Sequence, residues 1–502
     1  MTGKNANEIT LSQLESHLWE AANILRGPVD AADFKTYVFP LLFFKRISDV
    51  HDEEHQAALK TYGGDEESAL FPENYRFQIP KGCHWRDVRK VTSNVGQALQ
   101  TAMRNIEQAN PQTLYGIFGD AQWTNKERLS DALLRDLLEH FSQISLGNQA
   151  AKTDILGQAY EYLIKKFADA TSKKAGEFYT PRAVVRLMVN ILDPKEGESI
   201  YDPTCGTGGM LLEAIQHVRE KKGDVRSLWG KLYGQEKNLT TAAIARMNLF
   251  LHGAADFQIV RGDTLRNPAF FSGDNLATFD CVIANPPFSL KKWGEEVWAS
   301  DPFGRNFAGM PPAKSGDFAF VQHMIKSMAA KAGRMAVVLP HGAISNSGRE
   351  KAIRKKIIEM DLLELVIGLG ENLFYGTGIG ACILVFRQAK PKERKKRVLI
   401  IDASNELKVG RAQNELLPDH VERIYNLTRN YNDVDGIARI VSLEEIAAND
   451  HNLNIPIYVE PKSNKKRVTV EEAMNQLQKS TEATFAAEDR LISLFKKEGL
   501  LK

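Results

Sequence analysis

The sequence lacks an excess of charge of either sign. Its 502 residues include 65 Lys and Arg against 63 Asp and Glu, for a formal net charge of +2. A protein that holds nucleic acid mainly through phosphates usually carries a clear basic excess. If this chain acts on nucleic acid, either its basic residues are concentrated locally or a partner supplies much of the contact.

Cysteine is scarce, and long apolar runs are missing. Neither a zinc site nor a disulfide framework follows from the widely spaced cysteines Cys83, Cys205, Cys281 and Cys382. His84 and His341 have no neighbours with ligand spacing, so we expect no metal. The sequence has no apolar run of about 18 residues, and its N-terminus, MTGKNANEIT, has no apolar signal core. We therefore expect a cytoplasmic protein with buried free thiols and no membrane partner.

What is present is the composition of an ordinary globular protein, with 43% hydrophobic and 25% charged residues. At ~100–200 residues per domain, the chain is expected to hold roughly two to four units. We predict a helical N-terminal domain over 1–155, an α/β domain over 156–405, an extension over 406–465 and an amphipathic tail helix over 466–502.

The N-terminal part and the tail show helical spacing of apolar residues. Thr10 and Gln13 match a capping box, and apolar residues then recur on one helical face as far as Leu25. The apolar density of Tyr37–Ile47 predicts a helix that is buried on most sides. After Thr469, a seven-residue repeat with several polar core positions predicts an amphipathic helix that packs on another helix.

From about Ser199, short β-rich runs alternate with helical ones. This alternation is typical of a doubly wound, mostly parallel sheet with helices on both faces. The predicted strands are Ser199–Tyr201, Leu232–Gly234, Gln258–Val260, Cys281–Ala284, Met335–Leu339, Leu363–Ile367 and Cys382–Phe386. The predicted helices are Met210–Arg219, Leu239–Leu251, Phe318–Ala330 and Arg349–Met360. A Gly-rich loop joins the last two strands, so we expect an antiparallel strand at the sheet edge.

A glycine-rich turn, DPTCGTGG, follows the first predicted strand and opens a helix. It begins at Asp202, and its backbone can approach a ligand closely at Gly206, Thr207, Gly208 and Gly209. Glu236 ends the second strand, where an acid can accept both ribose hydroxyls of a nucleoside. Asp263 ends the third strand, where its carboxylate can meet an adenine amino group. Each acid alone could be a helix N-cap, but together the three predict a nucleoside-type cofactor site.

The fourth strand ends in Asn285-Pro286-Pro287-Phe288. Two prolines stop the strand, stiffen the loop and leave carbonyls free to accept hydrogen bonds, and Asn285 adds another carbonyl oxygen. Two acceptors aimed at an exocyclic amine would draw its nitrogen towards tetrahedral geometry and free its lone pair for methyl transfer. Phe288 offers an aromatic face to a base swung out of the duplex.

These two motifs, in this order, resemble the adenine-N6 methyltransferases that modify DNA and use S-adenosylmethionine. The resemblance implies the fold of class I S-adenosylmethionine-dependent methyltransferases. It also implies a further cofactor motif, GEFYTPR, which comprises Glu177, Phe178, Tyr179, Thr180, Pro181 and Arg182. Without the family, Thr180 and Pro181 would be interpreted as the N-cap and first residue of a helix.

Three flanking segments narrow the resemblance to the modification (methyltransferase) subunit of type I restriction–modification systems. They are Leu41–Asp49, Gly157–Glu161 and Asn452–Pro456. The family implies a complex in which two copies of this chain join one specificity subunit, which reads the DNA, and a restriction subunit can be added. The tail helix is then a candidate contact with the specificity subunit, and the near-zero net charge is explained.

Several alternatives remain open. The same fold and motif also serve enzymes that methylate protein glutamine or RNA bases, cytosine N4 could replace adenine N6, and the chain could be an inactive structural subunit. The basic run Lys390–Arg397 is interpreted as a solvated hairpin turn, with a DNA-phosphate contact as the alternative. The stretch Lys291–Lys314 is long enough to close over a target base, whereas Trp293 and Trp298 within it are expected to be packing residues.

Overall fold

The computed structural model of the protein describes residues 9–170, 180–374, 377–411, 413–460 and 470–501. The chain divides into two compact units, 1–459 and 460–502. The N-terminal part of the first unit is helical, with α1 (Leu11–Ile24), α2 (Phe34–Thr61), α3 (Glu66–Ala69), α4 (Trp85–Arg89), α5 (Val95–Ala109), α6 (Asp131–Phe141) and α7 (Thr153–Ala170).

Local sequence explains the first two helices. The Thr10 hydroxyl accepts from the backbone N–H of Gln13, and the Gln13 side chain accepts from the backbone N–H of Thr10, which confirms the predicted capping box. Helix α2 is buried at every position from 37 to 48. Even Arg46 is enclosed there, and its guanidinium donates to the Asn148 side chain and to the Leu146 carbonyl.

The α/β part follows. Its strands are β1 (Ile200–Asp202), β2 (Leu232–Glu236), β3 (Gln258–Arg261), β4 (Phe271–Ser272), β5 (Asn275–Leu276), β6 (Cys281–Ala284), β7 (Arg334–Pro340), β8 (Leu363–Leu369), β9 (Ala381–Arg387), β10 (Arg397–Ala403) and β11 (Ala438–Ser442). Its helices are α8 (Arg182–Leu192), α9 (Gly209–Glu220), α10 (Leu239–Leu251), α11 (Glu295–Trp298), α12 (Asp317–Lys326), α13 (His341–Ser345), α14 (Arg349–Glu359), α15 (Pro418–Asn430) and α16 (Leu443–Ala448).

Within the described residues, nine strands form one sheet in the order β11-β10-β8-β9-β7-β6-β1-β2-β3, and β4 pairs with β5 separately. The sheet has an apolar core on each face. Along β6, for example, Cys281 and Ile283 pack on one side with α8, α9 and α10, while Val282 and Ala284 pack on the other with α12 and α14. The predicted doubly wound, mostly parallel sheet is confirmed.

The predicted strand Cys382–Phe386 is antiparallel, as expected, but it lies inside the sheet, so its predicted edge position was wrong. Strand β9 runs antiparallel between β7 and β8 and is hydrogen-bonded to both. Its sequence, ACILVFR, is apolar on both faces, and its first six residues are buried, as a central strand requires. The sheet continues past β8 into β10 and β11, which the sequence pattern did not reveal.

The predicted hairpin at Lys390–Arg397 was also wrong. It joins β9 to β10, which do not pair, because β8 lies between them. The connection therefore crosses the end of β8. The Lys390 side chain is buried there and donates to the Asp361 carboxylate at 2.7 Å and to the carbonyls of Leu363 and Arg397. Lys390 therefore links the start of β8 to the start of β10 at one end of the sheet.

The N-terminal helices and the cofactor half of the sheet share one core. Ala243, Ile244, Met247 and Leu251 of α10 belong to the same apolar cluster as α1, α2 and α7. Each fully buried large apolar side chain contributes about 1.5–3 kcal/mol. Polar contacts reinforce the join, since Arg246 donates to the carbonyl of Tyr115 at 2.8 Å.

The second unit contains helix α17 (Val470–Lys497). The predicted tail helix is present, and all its side chains except the half-buried Phe495 are solvent-exposed, including Leu477 and Phe485. Thr469, which precedes the predicted repeat, lies outside the described residues. Across the described part of the chain, no helix combines the length and apolar character needed to cross a membrane.

Candidate active site

The predicted cofactor acids stand at the carboxyl edge of three neighbouring parallel strands. Asp202 is the last residue of β1 and pairs with Gly234 of β2, and Glu236 is the last residue of β2 and pairs with Arg261 of β3. Asp263 follows β3 by two residues. The structure therefore brings the three acids to one edge, as expected for ligand sites in such sheets.

The glycine turn between β1 and α9 has open space beside its backbone. Gly206 has φ +52°, and Gly208, the N-cap of α9, has φ +81°, both in the left-handed region that favours glycine. A Cβ placed on Gly206 or Gly209 would meet nothing within 4 Å. The Thr207 carbonyl is held by the side-chain Nδ2 of Asn248 at 2.9 Å. The turn is thus a fixed, uncrowded cradle.

Asp202 is almost completely buried, at 2% exposure, and one carboxylate oxygen accepts from the backbone N–H of Thr204 at 3.0 Å. Burial raises the pKa of Asp202 to about 8, and although the Thr204 hydrogen bond opposes this, the nearby charge of Glu236 adds to it. A cationic group bound beside Asp202 would favour its charged form.

Glu236 and Asp263 are also held by the backbone. Glu236 accepts from the N–H of Gly206 at 3.1 Å and from that of Asn238 at 2.7 Å, so it links the glycine turn to the start of α10. Asp263 accepts from the N–H of Leu265 at 3.2 Å and forms an ion pair with Lys237 at 2.9 Å. These contacts fix the orientation of both carboxylates at the sheet edge.

Asn285 lies just beyond β6, and its two amide atoms differ in their surroundings. The Nδ2 group donates to Thr180 Oγ1 at 2.8 Å, whereas Oδ1 is buried without a hydrogen-bond partner. An unpaired buried carbonyl oxygen is costly, by about 1–3 kcal/mol, and needs an explanation. The arrangement leaves one acceptor available for a substrate donor.

Thr180 does not cap the next helix. Helix α8 begins at Arg182, Pro181 occupies the N-cap position, and no side chain caps the helix. A helix does start at this segment, but the N-cap role of Thr180 was wrong, because its hydroxyl is engaged with Asn285 and Pro181 takes the N-cap position. Glu177–Tyr179 lie outside the described residues.

The remaining residues of the Asn-Pro-Pro-Phe loop lie against the sheet edge. Pro286 is buried, and Pro287 and Phe288 are half-buried. The Phe288 ring packs edge-on against Phe374, with ring centroids 5.8 Å apart. Phe374 follows β8 and was not among the predicted site residues, because nothing in the local sequence connects it with residue 288.

Two further residues support this region from a distance in sequence. Asp317, at the start of α12, accepts from the backbone N–H of Ser289 at 2.7 Å, and Ser289 has φ +49°. Arg305 is buried and donates to the carbonyls of Thr264 and Leu265, just after Asp263. Neither residue carries a local motif, so sequence analysis missed both.

The stretch Lys291–Lys314 contains α11 and packs on the protein. Trp293 and Trp298 are buried in a small apolar cluster with Leu265 and Ala319, which confirms that they are packing residues. The Trp293 Nε1 group donates to the Pro312 carbonyl at 3.0 Å, so the stretch is also bonded to itself.

The structure gives His84 neighbours that the sequence did not suggest. His51, Asp52 and His84 place ligand-type atoms within 4.8 Å of one another. His84 Nδ1, however, accepts from the backbone N–H of Arg86, which leaves Nε2 protonated and donating to the Ser48 carbonyl. This tautomer makes His84 the N-cap of α4 and a poor metal ligand.

Comparison with known proteins agrees with this geometry. Residues 151–467 match the family model described as N-6 DNA Methylase, and residues 14–141 match the HsdM N-terminal domain. The chain is 31% identical to the type I restriction enzyme MjaVII methylase subunit of Methanocaldococcus jannaschii, over 99% of this chain and 86% of that protein. It is also 31% identical to the HindI methylase subunit of Haemophilus influenzae, over 76% and 89% of the two chains.

A crystal structure has the same fold. The methyltransferase subunit of a type I restriction–modification system from Streptococcus thermophilus is 30% identical, with a TM-score of 0.76, over 90% of this chain and all of that chain. The fold, the glycine turn and the Asn-Pro-Pro-Phe loop thus define an adenine-specific DNA methyltransferase, and the chain belongs to the N-6 DNA methylase family. More particularly, it is a methylase subunit of the type I restriction–modification class, as the motifs predicted.

Proposed function

We propose that this subunit transfers a methyl group from S-adenosylmethionine to N6 of an adenine that is swung out of the DNA duplex. The observation that carries the proposal is the buried, unpartnered Oδ1 of Asn285. With its Nδ2 group engaged by Thr180, the amide presents its acceptor atom and not its donor. An acceptor is the group that an exocyclic amine requires.

The residues at the sheet edge fit the proposed cofactor. Space beside Gly206 and Gly209 admits a ligand close to the backbone, and Asp202, Glu236 and Asp263 supply carboxylates for its cationic and hydroxyl groups. The Glu177–Arg182 segment completes the proposed set, with Gly208 and Thr207 shaping the turn. S-adenosylmethionine, when bound, supplies a methyl group made electrophilic by its sulfonium.

The chain's own contribution to the chemistry is to position and polarise the amine. Asn285 Oδ1 and a backbone carbonyl of the Pro286–Pro287 pair would accept the two N6 hydrogens, which localises the nitrogen lone pair. Fixed dipoles of this kind need no reorganisation during the reaction, and one such group is typically worth about 10²–10³ in rate. Phe288, packed on Phe374, offers a supported ring face to the extruded base.

The proposed partners follow from the relatives, which are named as subunits of restriction enzymes. We propose that two copies of this chain join one specificity subunit on DNA, and that a restriction subunit adds to this complex. The exposed apolar positions of α17, such as Leu477 and Phe485, suit a helical contact with the specificity subunit.

The test is to incubate the purified chain with labelled S-adenosylmethionine and DNA, with and without the specificity subunit, and to identify the labelled product. We expect N6-methyladenine only when the partner is present. Asn285→Ala should abolish turnover and retain cofactor binding, measured by calorimetry. Label on cytosine N4, RNA or a protein glutamine would overturn the substrate, and full activity of Asn285→Ala would overturn the site.

A further inference from the structure

A group of exposed cations lies beside the end of the Asn-Pro-Pro-Phe loop. The group consists of Lys291, Lys292, Lys314 and Arg349, and all four side chains are solvent-exposed. We call it the loop-side cation cluster. It is of interest because the chain as a whole has a net charge of only +2, so any contact with a polyanion must depend on where cations are placed.

Backbone hydrogen bonds bring the three lysines together. The N–H of Lys292 donates to the Ala313 carbonyl at 3.3 Å, and the N–H of Gly316 donates to the Leu290 carbonyl at 3.0 Å. Segments 290–292 and 313–316 therefore run side by side in opposite directions. Lysines separated by more than 20 residues in the chain thus share one small patch of surface.

Buried polar contacts fix this patch relative to the catalytic loop. Asp317 binds the backbone N–H of Ser289 at 2.7 Å, which ties the second segment to the residue that follows Phe288. Ser315 donates to the Glu350 carboxylate at 2.7 Å, which ties it to the first turn of α14, where Arg349 lies. The four cations are therefore held around the outer end of the catalytic loop.

The charge of the cluster is not neutralised by the rest of the described chain. None of its four cations forms an ion pair with another described residue. Asp317 and Glu350, the acids nearest in sequence to Lys314 and Arg349, are buried and engaged by Ser289, Ser315 and Asn346. Near Lys292, Glu296 is paired with Arg266, and Glu295 forms no ion pair with either Lys291 or Lys292 among the described contacts. The cluster thus presents uncompensated positive charge to solvent at this edge of the sheet.

We infer that the loop-side cation cluster binds the DNA backbone phosphates that flank the target adenine. This inference rests on the proposed function. When a base is extruded into a pocket, its own and the neighbouring phosphates stay at the mouth of that pocket. Flexible lysines suit this role, because phosphate contacts add affinity and fix register without reading sequence. Sequence reading is left to the specificity subunit.

The test uses the assembled complex and a duplex that it methylates. In Lys291→Gln/Lys314→Gln, DNA affinity should fall, and the slope of log Kd against log salt should shrink by roughly 1.8, or about 0.9 per lost phosphate contact. Cofactor affinity should be unchanged. The matched control, Lys221→Gln/Lys331→Gln, removes two equally exposed lysines near the amino ends of the parallel strands, away from the catalytic loop. The slope of log Kd against log salt for this control should equal that of the unmodified complex.

The outcomes separate the two proposals. If the unmodified complex methylates DNA and the Lys291/Lys314 variant retains the full salt slope, the cation cluster is not a phosphate contact. If both double variants lose the same slope, the effect is one of net charge, and the inference also fails. If the unmodified complex labels RNA or protein and not DNA, the proposed function itself is wrong.

Discussion

Asn285 donates a hydrogen bond from its side-chain Nδ2 to the hydroxyl oxygen of Thr180 across 2.8 Å. This bond joins two segments that are 105 residues apart in the chain and belong to different sequence motifs. In this orientation of the amide the Thr180 hydroxyl engages the donor, and Oδ1 stays available to the substrate. Thr180 is therefore a positioning residue for Asn285.

Replacing Thr180 by Val keeps the shape of the side chain and removes the hydroxyl. We expect kcat to fall about tenfold, because a hydrogen bond worth about 1–1.5 kcal/mol no longer orients the amide. Thr180→Ser should restore most of the activity. The diagnostic readout is a double-mutant cycle, in which Thr180→Val has little further effect once Asn285 is Ser. An undiminished effect in the Asn285→Ser background would assign Thr180 a different role.

Asp317 makes the activity sensitive to acid. Burial raises the pKa of Asp317 to about 6, and its carboxylate accepts from the Ser289 N–H beside the catalytic loop. Protonation weakens this charge-assisted bond, so we expect kcat to decline as the pH falls below about 6. Asp317→Asn should be less active at pH 8 and lose this acid limb. The test is a pH–rate profile of both proteins. An unchanged acid limb in Asp317→Asn would show that protonation of Asp317 does not cause the loss of activity.

Asp202 should make the subunit less stable at alkaline pH. Its folded-state pKa of about 8 exceeds its ordinary value of 3.8, so the folded state binds the proton more tightly than the unfolded state does. The stabilisation is complete below about pH 4 and is lost as the pH rises to about 8. In denaturant titrations without cofactor, the free energy of unfolding should therefore decline as the pH rises from 5 to 8. Asp202→Asn should flatten this decline, and an identical slope would refute the explanation.

Asn248 should affect cofactor binding more than the chemical step. Its Nδ2 group holds the Thr207 carbonyl in the glycine turn at 2.9 Å, and it is 1% exposed. Asn248→Leu removes this donor with little change in size, and we expect a roughly tenfold weaker Kd for S-adenosylmethionine. Asn248→Asp, which directs an acceptor at the same carbonyl, should be worse. Equal Kd values measured by calorimetry for all three proteins would contradict this role.

The tail should matter for assembly and not for the stability of the first unit. No side chain of α17 is buried, so deleting 470–502 should leave the Tm of the isolated chain unchanged. We expect the deletion to abolish co-purification with the specificity subunit. Leu477→Lys should weaken assembly, whereas Ala486→Lys, nine residues on and therefore on the opposite side of the helix from Leu477, should not. Intact assembly of the deletion variant would remove α17 from the interface.

Much of the fold was predictable because each parallel strand carries a local signal. The predicted bounds of Cys281–Ala284 and Leu239–Leu251 agree with β6 and α10, since apolar runs and flanking turn residues mark them. The position of β9 was not predictable in this way. A strand that is apolar on both faces is compatible with any interior place in the sheet, and no local signal indicates that β9 inserts between β7 and β8.

The site residues also divide into those with a local sequence signal and those without one. Asp202, Glu236, Asp263 and Asn285 could be predicted to lie together because each is at, or within two residues of, the end of a strand, and strand ends meet at one edge. Asp317, Phe374 and Asn248 were missed because their roles come from contacts with distant backbone or rings, and their own neighbourhoods look ordinary. Thr180 was placed near the site by family resemblance alone, and its hydrogen bond to Asn285 became visible only in the structure.

The core that α10 shares with the N-terminal helices has a consequence for dissecting the protein. One side of this helix holds the Thr207 carbonyl through Asn248, and the other supplies Ala243, Ile244 and Met247 to the helical bundle. A fragment that starts after α7 would leave that apolar side bare and loosen the helix that braces the glycine turn. We therefore expect that the catalytic half does not fold as a separate module, because the helical region supports the glycine turn through α10.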